Sequence, residues 1–525
     1  MIESYSQQII YPLKQGTPLL TSPDISSVLP IVLTLIFSLY TRNVVIGLFA
    51  GVISAVVMLT GFNPLAVLSE LVKTHLVGTI TDSYNAGVIV LMVFIGGFVA
   101  LMEKSGGGPA FAANIMKWIN TRARAQMAAW LGGIFIFYSD LGTPLIIGPV
   151  FRPLFDKLKI SRQKLAFIID STASPVAILV PFIGWGIYIM GLMQKEFDSA
   201  EQTISAWSAF IHTIPFQFYA ILAIVIVPLL VWRKVDFGAM AAAEKDSLNA
   251  PEANSNKEAP ASQKSPLSQE KSTIAPFTHP NARASFVFVP LAVMAGVLAM
   301  MLVPLGFPFS SVPGSIFRAA LSSAYFLAAV SLIGLMAWYK VRSLNSSVTM
   351  YLNGMSNMMQ VAIILVLAWT LSSLGKELGT AQYIAEQAQR GFPYWLLPAV
   401  AFIFSGVISF ATGSSWGTFA IMLPLVIPTS FAIEAPLFVS MGAVLSGGLF
   451  GDHCSPISET TILSATGSNC NQFEHFRTQL PYALLNGSIA LLSFLIAGIY
   501  QHSAIIVLSL LIQILLVVAI KRAKN

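Results

Sequence analysis

The chain alternates between long apolar stretches and short polar interruptions. Many of the apolar stretches approach or exceed the ~20 residues that a helix needs to cross a bilayer. They fall roughly at 28–41, 44–61, 87–103, 126–151, 164–193, 213–232, 286–304, 316–339, 357–375, 395–428, 436–465, 480–499 and 503–520. This pattern predicts an all-α polytopic membrane protein, because a β-barrel would show short alternating segments instead of solid apolar runs.

Composition supports a membrane location. The 525 residues are 55% hydrophobic and 10% charged, whereas a soluble domain carries about 25% charged residues. The net charge is +6, but the basic residues lie in loops, where they orient membrane helices. We therefore expect the lipid bilayer as a partner and no nucleic acid, and we count a homodimer among the expected states.

One long polar segment divides the chain. Residues 233–285 are rich in Ser, Pro, Ala, Lys and Glu, a composition that predicts a disordered cytoplasmic linker. The predicted divisions are 1–86 with two transmembrane helices, 87–232 with a first repeat and a connecting helix, 286–356 with connecting helices, 357–465 with a second repeat, and 466–525 with C-terminal helices.

The two halves resemble each other. GTPLIIGPVFRP (Gly142–Pro153) and GTFAIMLPLVIP (Gly417–Pro428) share the pattern G-T-x-x-I-x-x-P-x-x-x-P, and DSTASPV at Asp170–Val176 aligns with DHCSPI at Asp452–Ile457. Matching blocks in the same order predict an internal repeat.

The distribution of charge predicts how the repeats are oriented. Basic residues flank 126–151 on both sides, and the preceding flank includes Glu103, taken as an interface residue at a helix end. Both flanks are then cytoplasmic, so this segment is predicted to be a re-entrant hairpin. The matching segment 395–428 is followed by a loop with Glu434 as its charged residue, which predicts a periplasmic side. The charge pattern therefore predicts about eleven crossings and a cytoplasmic C-terminus. It also predicts two inverted repeats, each with a hairpin and a broken transmembrane helix.

Polar residues interrupt apolar segments at four places. The breaks lie at Tyr138–Thr143, Asp170–Pro175, Thr412–Thr418 and Gly451–Thr461. A charge at membrane depth costs roughly 2.5–3.5 kcal/mol, and such residues are usually functional. Broken helices at matching positions of two halves indicate a substrate site.

The residue types at the breaks suit a small cation. Carboxylate and hydroxyl oxygens are hard donors, and a buried carboxylate favours protonation unless a cation is near. One carboxylate can therefore exchange a proton for a metal ion. The candidate cation- and proton-binding residues are Asp452, Glu459, Asp170, Asp140 and His453, with a metal site predicted at Asp452, Glu459 and Asp170. The candidate coordinating hydroxyls are Thr172, Ser174, Ser414, Ser415, Ser455 and Ser458.

Each candidate also has a structural explanation. The carboxylates would form ion pairs, cap helices or occupy turns, with Asp170 as the N-cap of a half-helix starting at Ser171 and Asp140 as a turn residue. The hydroxyls would bond carbonyls four residues earlier, and His453 would support Asp452.

At these residues the chain resembles the NhaC-type sodium/proton antiporter family. GDHCSPISETT is similar to the family signature GDHCSPISDTT, with Glu459 in place of Asp, and TGSSWGT is similar to TGTSWGT. Around Asp140, many members carry a second acidic residue where this chain has Ser139 or Leu141. The resemblance spans roughly residues 87–490 and implies Na⁺/H⁺ exchange at a bacterial inner membrane without a cofactor. It also implies that Asp170, Thr172, Ser415, Asp452, His453, Ser455 and Glu459 are functional.

The sequence also bears on two other functional classes, an enzyme and a solute carrier. An enzyme is disfavoured because the sequence has no H-E-x-x-H pair and no G-x-x-x-x-G-K-[ST] loop. A sodium- or proton-coupled carrier of a small organic solute stays open, since predicted helix N-termini at Ser174-Pro175 and Ser455-Pro456 would suit an anionic group.

Overall fold

The fold is helical throughout the part of the chain that the structure describes. This computed structural model describes residues 24–116, 119–249, 277–307, 312–388 and 391–524, and every regular element in those ranges is a helix. The predicted all-α fold is therefore confirmed.

Fourteen α-helices precede residue 250 in the described ranges. They are α1 Leu29–Thr41, α2 Val44–Thr60, α3 Pro64–Ser69, α4 Val77–Thr81, α5 Ser83–Lys104, α6 Gly107–Met116, α7 Arg122–Phe135, α8 Gly142–Lys157, α9 Arg162–Asp170, α10 Ser174–Ala177, α11 Gly184–Ser199, α12 Ala206–Thr213, α13 Phe218–Arg233 and α14 Gly238–Asn249. A π-helix at Glu70–Leu76 and 3₁₀ turns at Ile25–Val28 and Ile214–Phe216 connect some of them.

Eleven α-helices follow residue 276 in the described ranges. They are α15 Ser285–Leu302, α16 Gly314–Trp338, α17 Leu344–Asn357, α18 Met359–Glu377, α19 Thr380–Ala388, α20 Leu397–Thr412, α21 Ser415–Ala432, α22 Leu437–His453, α23 Glu459–Ser468, α24 Gln472–Tyr500 and α25 Ile505–Lys524. Two further 3₁₀ turns lie at Val303–Leu305 and Tyr394–Leu396.

Several helices are long enough to cross a membrane. By length and composition there are 8 such spans among the described residues, or 9 if the helices Ala206–Phe216 and Phe218–Arg233, bent by 49° to each other, form one span. The apolar stretches Ile25–Thr41 and Val44–Thr60 are shorter than this. The predicted number of about eleven crossings depends on such short and broken helices and stays a prediction.

Helices α7 and α8 form the hairpin predicted at 126–151. The guanidinium of Arg122, at the start of α7, donates to the carbonyl oxygens of Leu158 (3.3 Å) and Lys159 (2.5 Å), just beyond the end of α8. Thr121 caps the N-terminus of α7 by accepting a hydrogen bond from the amide of Arg124. The segment therefore enters and leaves at the same level, and residues 136–141 form its tip.

The second half repeats this arrangement of helices. Helices α20 and α21 pack together across a short break at Gly413, whose φ of +66° favours glycine, and Ser414 caps α21. The broken helices are α9 with α10 in the first half and α22 with α23 in the second. Helix α8 packs against α23, and α21 packs against α11. These pairings join the two halves, and the repeat with its inverted orientation stays a prediction.

The two halves meet at a close helix crossing. Pro144 and Gly148 of α8 lie against Gly467 of α23, so that a Cβ added at Gly467 would lie 2.2 Å from the carbonyl oxygen of Pro144. Small residues allow backbones in membrane proteins to approach in this way. The crossing fixes α23 beside the hairpin.

The predicted disorder of 233–285 is wrong where α14 forms. The carboxylate of Glu244 is buried and accepts hydrogen bonds from the amide (2.8 Å) and hydroxyl (2.6 Å) of Ser161, and it pairs with Arg122 (2.5 Å). These partners hold the helix against the starts of α7 and α9. Composition missed it because its stability comes from residues far away in sequence. Residues 250–276 of this prediction lie outside the described residues.

The hairpin can be tested by cysteine labelling. Arg124→Cys and Lys157→Cys, both at exposed positions, should react with a membrane-impermeant maleimide from the same side, whereas Glu434→Cys should react from the other side. The native thiols should react slowly, because Cys454 is buried and burial raises the pKa of Cys470 to about 12. Labelling of positions 124 and 157 from opposite sides would contradict the hairpin.

The helix crossing can be tested by adding one methyl group. Gly467→Ala should lower the melting temperature of the purified protein, since overpacking typically costs about 1–3 kcal/mol. Gly296→Ala is the matched control, because a Cβ at Gly296 has nothing within 4 Å. Equal melting temperatures for the two variants would contradict the close approach.

Candidate functional site

Asp452 lies at the C-terminal end of α22, next to the break before α23. Its side chain is 4% exposed, and both carboxylate oxygens accept hydroxyl donors, Oδ1 from Ser458 at 2.8 Å and Oδ2 from Thr460 at 2.6 Å. The two hydroxyls are also 2.9 Å apart. The break between α22 and α23 thus brings the oxygen-bearing side chains of Asp452, Ser458 and Thr460 together.

Asp170 is the last residue of α9 and is fully buried. Its Oδ2 accepts a hydrogen bond from Nε2 of Gln479 at 2.6 Å and lies 3.4 Å from Nε2 of His475. Its Oδ1 accepts a hydrogen bond from Ser464 at 3.4 Å. All three partners belong to the second half, so this carboxylate joins the halves. The alternative role of Asp170 as an N-cap is wrong, because the residue ends a helix.

His453 connects the two broken helices. Its Nδ1 lies 3.1 Å from the hydroxyl of Tyr219, and its Nε2 is buried without a hydrogen-bond partner among the described residues. Its backbone carbonyl accepts a hydrogen bond from Gln479 at 3.2 Å, so the same amide bridges the ends of α9 and α22. His453 also interacts electrostatically with Asp170.

Asp140 and Glu459 extend the set of carboxylates. Asp140 lies in the hairpin tip, as expected for a turn residue, and interacts electrostatically with Glu459 and Asp452. Glu459 is the first residue of α23, where the helix dipole favours a negative charge, and its side chain is exposed. Negative charge from the hairpin tip therefore faces the break between α22 and α23.

The structure does not assemble Asp452, Glu459 and Asp170 as common metal ligands. Within the described ranges, no group of three His, Cys, Asp or Glu side chains is arranged to hold a metal ion. The near oxygens around Asp452 are hydroxyls instead. The roles of these residues in binding stay predictions.

The six predicted hydroxyls have different surroundings. Ser458 contacts Asp452, whereas Thr172 bonds the carbonyl of Ile168 at 2.9 Å, as the structural explanation predicts. The hydroxyl of Ser174 is buried and has no partner in the described part of the chain. The others serve backbone groups: Ser414 accepts from Gly417, Ser415 donates to Gly448, and Ser455 donates to Phe410.

The predicted anion-binding helix N-termini are poorly formed. Ser455 and Pro456 lie in the turn before α23, and the first residue of that helix is the acidic Glu459. Ser174 begins a helix of 4 residues. An anion would meet negative charge at the first position and little helix dipole at the second.

The sequence prediction missed several site residues. Thr460 lies within GDHCSPISETT but is not among the predicted hydroxyls, and no sequence pattern indicates Tyr219. His475 and Gln479 precede the apolar stretch predicted at 480–499, yet their spacing of four residues places them on one helix face.

Glu103 lies at the C-terminal end of α5, as the sequence predicts, and it also contacts the hairpin tip. Its Oε1 accepts a hydrogen bond from Ser139 at 2.5 Å, and Ser139 accepts one from the amide of Gly142 at 2.8 Å.

Comparison with known families and proteins gives consistent matches. The model of the Na⁺/H⁺ antiporter family matches residues 15–183 and 176–499. A Haemophilus influenzae protein described as uncharacterized is 29% identical over 496 residues, 91% of each chain. The malate-2H⁺/Na⁺-lactate antiporter of Bacillus subtilis is 29% identical over 187 residues, 34% of this chain and 37% of that protein.

A solved structure shares the fold. The Alcanivorax borkumensis YdaH transporter superposes with a TM-score of 0.57 at 16% identity, covering 90% of this chain and 98% of that one. At this identity the likeness concerns the fold alone.

The bridging amide of Gln479 provides a test of the site geometry. Gln479→Leu should leave the buried carboxylate of Asp170 without its shortest donor, which costs about 1–3 kcal/mol, and should lower the melting temperature. Gln202→Leu is the control, because this exposed side chain bonds the nearby carbonyl of Ala200. Equal melting temperatures would show that Asp170 does not depend on Gln479.

Proposed function

Since the chain belongs to the Na⁺/H⁺ antiporter family, we propose that it exchanges Na⁺ for H⁺ across the bacterial inner membrane, with its C-terminus in the cytoplasm. The family and the Bacillus subtilis relative are antiporters, and the apolar helices give a multi-pass membrane protein. The proposal also includes the identity of the transported ions, the residues of the binding site, the inverted repeats and a homodimer.

The observation that carries the proposal is the environment of Asp452. A buried carboxylate with two hydroxyls on its oxygens offers three hard donor groups at one helix break. Hard oxygen ligands suit a small alkali cation. A buried carboxylate without a cation favours its protonated form, and a bound cation favours the ionised form. Na⁺ and H⁺ would therefore compete for Asp452.

The other charged residues have separate parts in this proposal. Glu459 is exposed at the start of α23 and interacts with Asp140, so these two carboxylates would attract the cation toward the break. Asp170 is fully buried and bonded to Gln479 across the halves. It would sense the charge at Asp452, with which it interacts electrostatically. His453 would transmit changes between them through its contact with Tyr219.

A second candidate is a carrier that couples Na⁺ or H⁺ to a small organic solute. Ser174, Thr461 and Gln479 each present a buried oxygen without a hydrogen-bond partner in the described part of the chain. A bare cation bound at Asp452 would leave such groups unused. The Bacillus subtilis relative is named for malate and lactate.

Transport assays on Asp452 test the exchange. In proteoliposomes with a pH-sensitive dye, Asp452→Asn should abolish Na⁺-driven proton movement, because the group for which the ions compete is gone. Ser458→Ala should keep exchange and raise the half-maximal Na⁺ concentration by about 5–10-fold, the effect of losing one hydroxyl ligand worth ~1 kcal/mol. Glu459→Asp should be milder than Glu459→Gln, since it keeps the charge.

The control is Asp246→Asn, an exposed acidic residue on α14, compared at matched protein levels. Exchange at the wild-type rate in Asp452→Asn, with unchanged pH dependence, would overturn the proposed site. Adding Li⁺, K⁺, malate, lactate and amino acids in turn separates the two candidate functions. Proton movement that requires one of the organic solutes would favour the second.

A further inference from the structure

A cavity of about 450 Å³ lies among the ends of α11, α18, α19 and α21. None of the carboxylates of the candidate site lines it. Its volume falls within the range of about 300–1,000 Å³ typical of small-molecule sites. The exchange proposed above does not use this cavity.

Glu196 is the buried charged residue in the described wall of the cavity. Its side chain is 2% exposed, and its Oε1 has no hydrogen-bond partner among the described residues. The Ser372 side chain hydrogen-bonds this carboxylate, and the neighbouring Lys195 interacts with it electrostatically. A buried carboxylate is costly when one of its oxygens has lost water without gaining a donor. The cavity next to it has room for one.

Three helix C-termini direct negative partial charge toward the same space. The last turns of α11, α18 and α21 contribute Ser199, Lys376 and Ala432 to the wall. A helix C-terminus carries about half a negative charge and favours cations. Helix α19 begins here, and the positive partial charge of its N-terminus offsets the negative partial charge of one of these C-termini. Lys376 is part of the cavity wall, and its side chain is exposed.

The rest of the wall is mainly apolar. Leu371, Ile421, Leu425 and Phe431 face the cavity. An inorganic cation would lose its hydration shell there and find one carboxylate and separate hydroxyls, such as those of Thr380 and Thr429, in a mainly apolar wall. A ligand with both a charge and an apolar body matches the wall better.

We propose that this cavity binds an organic cation, a primary ammonium compound with an apolar body, whose nitrogen pairs with the carboxylate of Glu196. The apolar part lies against Leu371 and Leu425. This site is separate from the carboxylates at the helix breaks and shares no residue with them.

Calorimetric titration with phenethylammonium tests the proposal, using the purified full-length chain in detergent. Phenethyl alcohol serves as the neutral analogue of similar shape. Phenethylammonium should bind the wild type, and Glu196→Gln should weaken binding by about tenfold or more, as expected for the loss of one desolvated charge pair. Glu201→Gln, an exposed acidic residue shortly after α11, is the matched control and should bind like the wild type.

A second variant tests the space itself. Leu425→Trp should fill the cavity and remove binding while Glu196 is kept, and an unchanged elution profile and melting temperature show that each variant is folded. Equal binding by the wild type and Glu196→Gln would overturn the proposal. Binding of the alcohol as tightly as the ammonium would also overturn it, since it would indicate a cleft for lipid tails. Either failure leaves the exchange proposal untouched.

Discussion

Helix ends buried in apolar surroundings must find hydrogen-bond partners within the protein, and the central part of this structure depends on that constraint. The chain breaks its helices at four places and satisfies many of the exposed backbone groups with hydroxyls. Ser455 donates to the carbonyl of Phe410, and Thr172 donates to that of Ile168. With the backbone satisfied in this way, irregular segments can stay buried and bring carboxylates together.

The carboxylates are satisfied by the opposite or neighbouring break and not by their own helix. Asp170 ends a helix of the first half, and its donors lie on α23 and α24 of the second. Asp452 is the next-to-last residue of α22 and receives hydrogen bonds from hydroxyls in the chain beyond the break. A carboxylate at a helix C-terminus opposes the helix dipole, so these donors are needed to hold it there. The site therefore exists only when both halves are packed.

The sequence was sufficient for the features that depend on local pattern. Apolar stretches, the four breaks and the hairpin at 126–151 follow from residue type and from charge on the flanks. Contacts between distant segments were not predictable in this way. Gln479 reaches Asp170 from another part of the chain, and Glu103 reaches Ser139 across the hairpin tip. Composition predicts disorder where α14 forms, and it fails there because the partners of Glu244 lie far away in sequence, at residues 122 and 161.

Asp236, just before α14, binds both Lys164 of α9 and Tyr482 of α24. Lys164 lies about two turns before Asp170, and Tyr482 lies about one turn after Gln479. Helices α9 and α24 are thus connected at two levels. Asp236 connects them near the surface, and the hydrogen bond between Gln479 and Asp170 connects them in the interior. Rotation of either helix about its own axis would break both of these contacts. Asp236, in the segment that joins the halves, therefore restrains the same two helices that the buried carboxylate and amide connect.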